Sequence, residues 1–159
     1  MKGIEEARIL IIDDEESIRK SLKLALEREG YLVNTAENGR EAIKKSKRRF
    51  YNLALVDLRL PDMDGIELLT KMRETVPKMV KIIITGYPSL ENAIEAVNRG
   101  ADGYIVKPYT MENLLHKIKE RLRKQQEAKK YSEKKVKEFM ETRAEEYEST
   151  ARARRRMKK

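Results

Sequence analysis

The 159-residue chain has no cysteine and no tryptophan, only two phenylalanines and four prolines, and a single histidine, His116. Without cysteine there is neither a disulfide nor a thiolate metal centre, which suits a reducing compartment. His116 falls near the start of a helical segment with no second ligand beside it, so it reads as a surface or packing residue. No apolar stretch approaches the ~20 residues that a membrane helix needs, and the N-terminus has no apolar signal-peptide core. A soluble, cytoplasmic protein without a membrane partner is therefore expected. There is also no P-loop, no GxGxxG, no catalytic triad and no Cys/His cluster, which leaves a metabolic enzyme a remote alternative.

Charge of one sign is scarce where it would matter for the whole chain. Residues 120–159 hold 15 Lys/Arg against 8 Asp/Glu, so the net charge of +9 belongs mostly to the C-terminal segment. The first 119 residues carry only +2, and nucleic-acid binding cannot be read from the overall charge.

What is present is a regular alternation. Apolar, β-branched runs near 8–12, 31–35, 52–56, 80–84 and 103–106 alternate with segments of helical period, the pattern of a parallel sheet wound with helices. The first helix, about 15–29, puts Ile18, Leu22, Ala25 and Leu26 on one face and ends at Gly30. Asn38 with Glu41 and Asp64 with Glu67 have capping-box spacing, and Ser89 and Thr110 can cap the fourth and fifth helices. Apolar period fades after Leu122, which places a domain over residues 1–123 and a charged extension over 124–159. The extension has no Gly or Pro, which predicts a helix, and its last residues, Ala151 to Lys159, are expected to be disordered.

Four of the strand-like runs end on chemically active residues. Arg8–Ile12 stops at Asp13-Asp14, Leu53–Val56 at Asp57, Val80–Ile84 at Thr85-Gly86, and Gly103–Val106 at Lys107-Pro108. Taken singly, each has a plain reading: the acid pair as a helix cap, Asp57 as a turn residue, Thr85 or Lys107 as surface side chains. Together they lie where ligands bind in an α/β sheet, at the carboxyl ends of its strands.

With Asp13-Asp14, the loop Asp57-Leu58-Arg59-Leu60-Pro61-Asp62-Met63-Asp64-Gly65, Thr85 and Lys107-Pro108, residues 6–122 closely resemble the receiver domain of two-component response regulators. The resemblance implies a flavodoxin-like, doubly wound, five-stranded parallel sheet of order 2-1-3-4-5, here with a helical C-terminal extension. That order sets strands one and three side by side and gathers three carboxylates, whose repulsion calls for a cation; oxygen ligands select a hard ion, Mg²⁺. By the resemblance Asp14, Asp57 and the backbone carbonyl of Arg59 would ligate it, with Asp13 acting mainly through water. Asp57 would be the phosphoacceptor for a sensor histidine kinase or a phosphotransfer protein, with Thr85 and Lys107 holding the phosphoryl oxygens and the Lys107–Pro108 bond cis. The protein would then be no enzyme beyond its own phosphorylation and slow autodephosphorylation.

Tyr104 takes the position of the family's aromatic switch, moving with Thr85 so that the face of helix four, strand five and helix five changes shape and can pair two copies. Arg59 and Tyr87, each two residues beyond a pocket residue, would shield the acyl phosphate from water. A stand-alone phosphorelay receiver is the leading reading, because about 36 residues cannot form a DNA-binding domain. The alternative is a truncated regulator, or one whose basic tail contacts nucleic acid.

Overall fold

The structure, a computed structural model, describes residues 6–158. Its strands are β1 (Arg8–Ile12), β2 (Leu32–Ala36), β3 (Leu53–Asp57), β4 (Val80–Thr85) and β5 (Gly103–Val106). Its helices are α1 (Glu16–Arg28), α2 (Gly39–Arg48), α3 (Gly65–Lys71), α4 (Leu90–Asn98) and α5 (Met111–Met157). All strand pairs are parallel and the order is β2-β1-β3-β4-β5, the flavodoxin-like arrangement.

Side chains that alternate along the central strands feed two cores, because successive Cβ atoms point to opposite faces of a sheet. Ile9, Ile11, Leu53, Leu55, Ile82 and Ile84 pack with Leu22 and Leu26 of α1 and Leu114, Ile118 and Leu122 of α5. Leu10, Ile12, Ala54, Val56 and Ile83 pack with Ala42 of α2, with Ile66, Leu68 and Leu69 of α3, and with Ala96 of α4. Burial on both faces explains why these strands read as unbroken apolar runs. Each fully buried Ile or Leu contributes about 1.5–3 kcal/mol, so this double core is what holds the strand ends in place.

The helix signals act largely as their residue types dictate. Asn38 accepts from Glu41 N at 2.8 Å, and Ser89 and Thr110 accept from Asn92 N and Asn113 N, each at 3.1 Å. Gly30 takes φ 96° after α1, a left-handed conformation that only glycine adopts without strain. The Asp64–Glu67 capping box does not form: Asp64 caps Ile66 N at 2.8 Å, while Glu67 pairs with Lys71 at 2.8 Å.

The chain divides into two compact units, Met1–Gln125 and Gln126–Lys159. The first ends two residues later than the apolar period predicts. Gln125 Nε2 donates to the carbonyls of Asn52 at 2.9 Å and Lys78 at 2.8 Å, polar anchoring that hydrophobic periodicity does not register. In the second unit, helix continues to Met157, where the sequence reading expects disorder from Ala151 onward. Arginine and alanine are good helix formers, neither Gly nor Pro interrupts them, and Arg152 pairs with Glu148 at 3.8 Å. Lys159 lies outside the described residues. No helix among the described residues is long and apolar enough to cross a membrane.

Candidate functional site

Parallel pairing in register does the first part of the assembly. Ile12 of β1 lies opposite Val56 of β3, so the residues that follow, Asp13 and Asp57, leave the sheet side by side. A ligand oxygen from each of Asp13, Asp14 and Asp57 falls within 4.8 Å of the others. Asp13 is buried, Asp57 half-buried and Asp14 exposed, so the cluster opens to solvent on the Asp14 side. Asp13 is also tightly fixed: its Oδ1 accepts from Glu15 N at 2.9 Å, and its carbonyl accepts from Arg19 Nη1 at 2.7 Å.

The next two strands bring the cationic and hydroxyl groups. Lys107, just past β5, lies with Nζ 3.9 Å from Asp13 Oδ2. Its backbone N donates to Thr85 O at 2.8 Å, which ties the two strand ends together. Thr85 is buried, and its Oγ1 accepts from Tyr87 N at 3.0 Å. At Gly86 an added Cβ would meet only Lys107 Cδ, at 3.9 Å, so the wall beside the lysine stem is open. The Lys107–Pro108 bond is cis, and so is Val76–Pro77.

Electrostatics follow from burial. Burial and the neighbouring Asp57 and Asp14 charges push the Asp13 carboxyl up from 3.8 to about 6, against the pull of Glu15 N–H and Lys107. Burial likewise raises Asp57, opposed by Lys107 and by Arg59 N–H, which donates to Asp57 Oδ1 at 3.3 Å. Asp13 and Asp57, both held above the usual carboxylate range, with the Asp14 carboxylate beside them and oxygen as the only donor atom, are a fitting seat for a small divalent cation and a poor one for a soft metal. Removing the charge conflict by binding such a cation is the cheapest way to keep all three ionised.

The loop between β3 and α3 forms one rim. Gly65 admits no side chain, because a Cβ there would come 2.2 Å from Asp57 O, and its N–H donates to Leu58 O at 2.7 Å. Arg59 leaves this loop and stacks on Tyr87, with Cζ 3.8 Å from the ring centroid. Tyr104, opposite Ile83 in β5, packs half-buried against the second core, and its buried hydroxyl has no partner.

Residues 9–119 match the response regulator receiver domain as a family. The chain belongs to that family. Its receiver is 49% identical to a CheY-like receiver domain protein from Methanospirillum hungatei JF-1, over 77% of this chain and 98% of that one, with a TM-score of 0.74. The beryllofluoride-activated NtrC4 receiver domain dimer is 40% identical, over 74% and 98% of the two chains, with a TM-score of 0.69. The transcriptional regulatory protein SrrA of Staphylococcus aureus is 42% identical over 118 residues, which are 74% of this chain. The chain spans about half the length of that relative, 48%.

In this receiver Asp13, Asp14, Asp57, Arg59, Thr85, Tyr87, Lys107 and Pro108 lie at the carboxyl edge of the sheet or in the loops that follow it, whereas Tyr104 lies within β5, opposite Ile83 of β4. His116 is exposed and apart from that edge in sequence and role. Sequence reasoning missed two supporting residues. Asp62 accepts from Gly39 N at 2.8 Å and Arg40 N at 2.9 Å, clamping the β3–α3 loop onto the start of α2. Arg19 grips the Asp13 carbonyl from α1. Asp62 sits in a Pro-Asp turn and Arg19 on a charged helix, so neither carried a local signal beyond its residue type.

Proposed function

We propose that this receiver accepts a phosphoryl group on Asp57 from a phosphohistidine of a histidine kinase or phosphotransfer protein, in a Mg²⁺-dependent reaction. The observation that carries the reading is the Asp13–Asp14–Asp57 cluster with Lys107 Nζ 3.9 Å from one of its oxygens. An Asp57 oxygen attacks phosphorus, the P–N bond breaks, and the leaving imidazole nitrogen takes up a proton. Asp14, Asp57 and the Arg59 carbonyl would hold Mg²⁺, with Asp13 reaching it through water. The ion would neutralise charge on the phosphoryl oxygens when bound. Lys107 would face the same oxygens from the other side, and the Thr85 hydroxyl, which accepts from Tyr87 N at 3.0 Å, keeps its own O–H available to donate to a third. The protein catalyses only its own phosphorylation and slow autodephosphorylation.

The output surface is supported by exposed apolar residues. Leu90, Ile94 and Val97 on α4 and Val106 on β5 face solvent, an unusual density of large aliphatics for a short stretch of surface. Tyr104 connects this face to the pocket: a phosphoryl group that draws Thr85 toward it would change the space beside β5, and the unpaired Tyr104 hydroxyl is free to respond. Pairing of two copies through α4, β5 and α5 is the expected consequence. Incubation with acetyl phosphate and Mg²⁺ tests the reading: wild type gains one phosphoryl group by intact mass, and Asp57→Asn gains none. Equal labelling of the two proteins would place the acceptor elsewhere.

A further inference from the structure

The second unit, Gln126–Lys159, carries an apolar face that none of its own residues covers. Val136, Phe139, Met140 and Tyr147 are 57%, 61%, 65% and 77% exposed. At 3.6 residues per turn these four, with Arg143 among them, fall within about 100° around the helix axis. A stripe of that width is what a helix presents to a partner, so the question is which partner.

Charge decides it. Residues 127–137 hold five lysines and two glutamates, residues 138–148 hold five glutamates and one arginine, and residues 149–159 hold six Lys/Arg and no acid. The helix is thus basic, then acidic, then basic. A nucleic acid would meet a negative block in the middle of its track. A second copy lying parallel would set five glutamates beside five glutamates. A second copy lying antiparallel sets the acidic block of each helix against a basic block of the other.

We propose that the tail is a self-pairing element in which two copies of this chain join antiparallel, about a two-fold axis passing between Lys137 and Glu138. In this register Val136 of one copy lies level with Phe139 of the second copy, and Ala128 with Tyr147. Lys129 lies level with Glu146, which turns a polar position of the seam into an ion pair. Ser132 lies level with Arg143, a small residue that gives the guanidinium room to reach solvent. The polar seam that weakens a parallel coiled coil is thus self-complementary when reversed, and polar seam residues fix register and orientation. The pairing is independent of phosphorylation at Asp57.

The absence of native cysteine makes the register directly measurable. Val136→Cys and Phe139→Cys in the 159-residue chain, both in an Asp57→Asn background that silences any phosphorylation-driven pairing, are oxidised separately and as a mixture, one carrying a mass tag. The mixed disulfide is expected to exceed the sum of the two homodisulfides, the share that random pairing of an equal mixture would give it. Sedimentation of the cysteine-free Asp57→Asn protein should show a monomer–dimer equilibrium that weakens as salt rises, because the attraction between blocks is screened over about 10 Å at 0.1 M. Phe139→Lys, at an exposed position that leaves the fold intact, should raise the dissociation constant by roughly tenfold or more, a change of about 1.4 kcal/mol or greater. A mixed species no larger than the sum of the homodisulfides, association that strengthens with salt, a monomer at every concentration, or binding to duplex DNA without self-association would each overturn the proposal. Loss of Asp57 phosphorylation in the wild-type assay would leave it untouched, so the two readings fail separately.

Discussion

Two ion pairs of nearly equal length separate the two units of this protein. Lys107 lies 3.9 Å from Asp13 in the first, and Arg152 lies 3.8 Å from Glu148 in the second. The Asp13 side chain is 7% exposed and Lys107 27%, whereas Arg152 and Glu148 are 71% and 69% exposed. Coulomb attraction at one distance differs several-fold with the surrounding dielectric, so the first pair belongs to a site that perturbs its own ionisation and the second to a solvated helix surface. The receiver concentrates a few charges where water is scarce; the tail spreads many where water is plentiful. Location, not number, decides which charges do chemistry.

The largest break in that comparison comes from Lys107→Ala. Removing a charge aimed at developing negative charge in a water-poor site should slow phosphorylation by acetyl phosphate by about 10²-fold or more, the loss typical of a single preorganised electrostatic donor. A rate within about threefold of wild type would show that Lys107 does not face the phosphoryl oxygens.

A second effect separates burial from charge number by pH. In the metal-free protein the folded Asp13 carboxyl titrates near 6 and its unperturbed value is 3.8. Between those values the folded state holds the proton more often than the unfolded state, so the folded protein loses stability as pH rises through that window and keeps the penalty above it. Asp57, raised in the same direction, adds to the same trend. Asp13→Asn keeps an acceptor for Glu15 N and removes one charge, so at pH above the window it should melt roughly 3–8 °C higher than wild type without metal. The gap should close below the lower value, and Mg²⁺ should narrow it from above by stabilising the wild type. A gap that is flat with pH would mean that Asp13 is ionised freely in the fold.

These two predictions rest on features that differ in how openly the sequence displays them. The five strands and the polar residues that end four of them were legible because parallel strands buried on both faces must be apolar throughout, which makes Asp57 conspicuous after Leu53–Val56. Boundaries moved by a residue or two, as with β2 starting at Leu32, where pairing with β1 rather than composition sets the end. Asp62 was illegible as a clamp because its partners, Gly39 and Arg40, are more than twenty residues away, and only the fold brings them near. The helical end of the tail was misjudged for a different reason. A run of Arg and Lys reads as a solvated, structureless segment, yet the same residues have good helix propensity once a helix already precedes them.

Arg59 and Tyr87 lie between the two extremes, charged and exposed yet stacked at 3.8 Å beside the pocket. As a stacked pair they should act as one shield over Asp57. Arg59→Ala and Tyr87→Ala should each shorten the phosphoryl half-life, and the double variant should be less than the product of the two, since removing either ring or guanidinium releases the other. Fully multiplicative effects would show two independent side chains, and an unchanged half-life in the double variant would show that neither screens the acyl phosphate.

The smallest effect lies in the tail. Arg152→Ala removes the 3.8 Å partner of Glu148, but both side chains are mostly in water before and after. Exposed pairs of this kind contribute about 0.2–1 kcal/mol, and alanine's own helix propensity offsets part of the loss. Thermal melting of the receiver and helical content by circular dichroism should therefore both stay within error of wild type. If a single exposed pair in the tail shifted melting as far as Asp13→Asn does, distance rather than burial would be setting the strength of these interactions, and the contrast between the two units would dissolve.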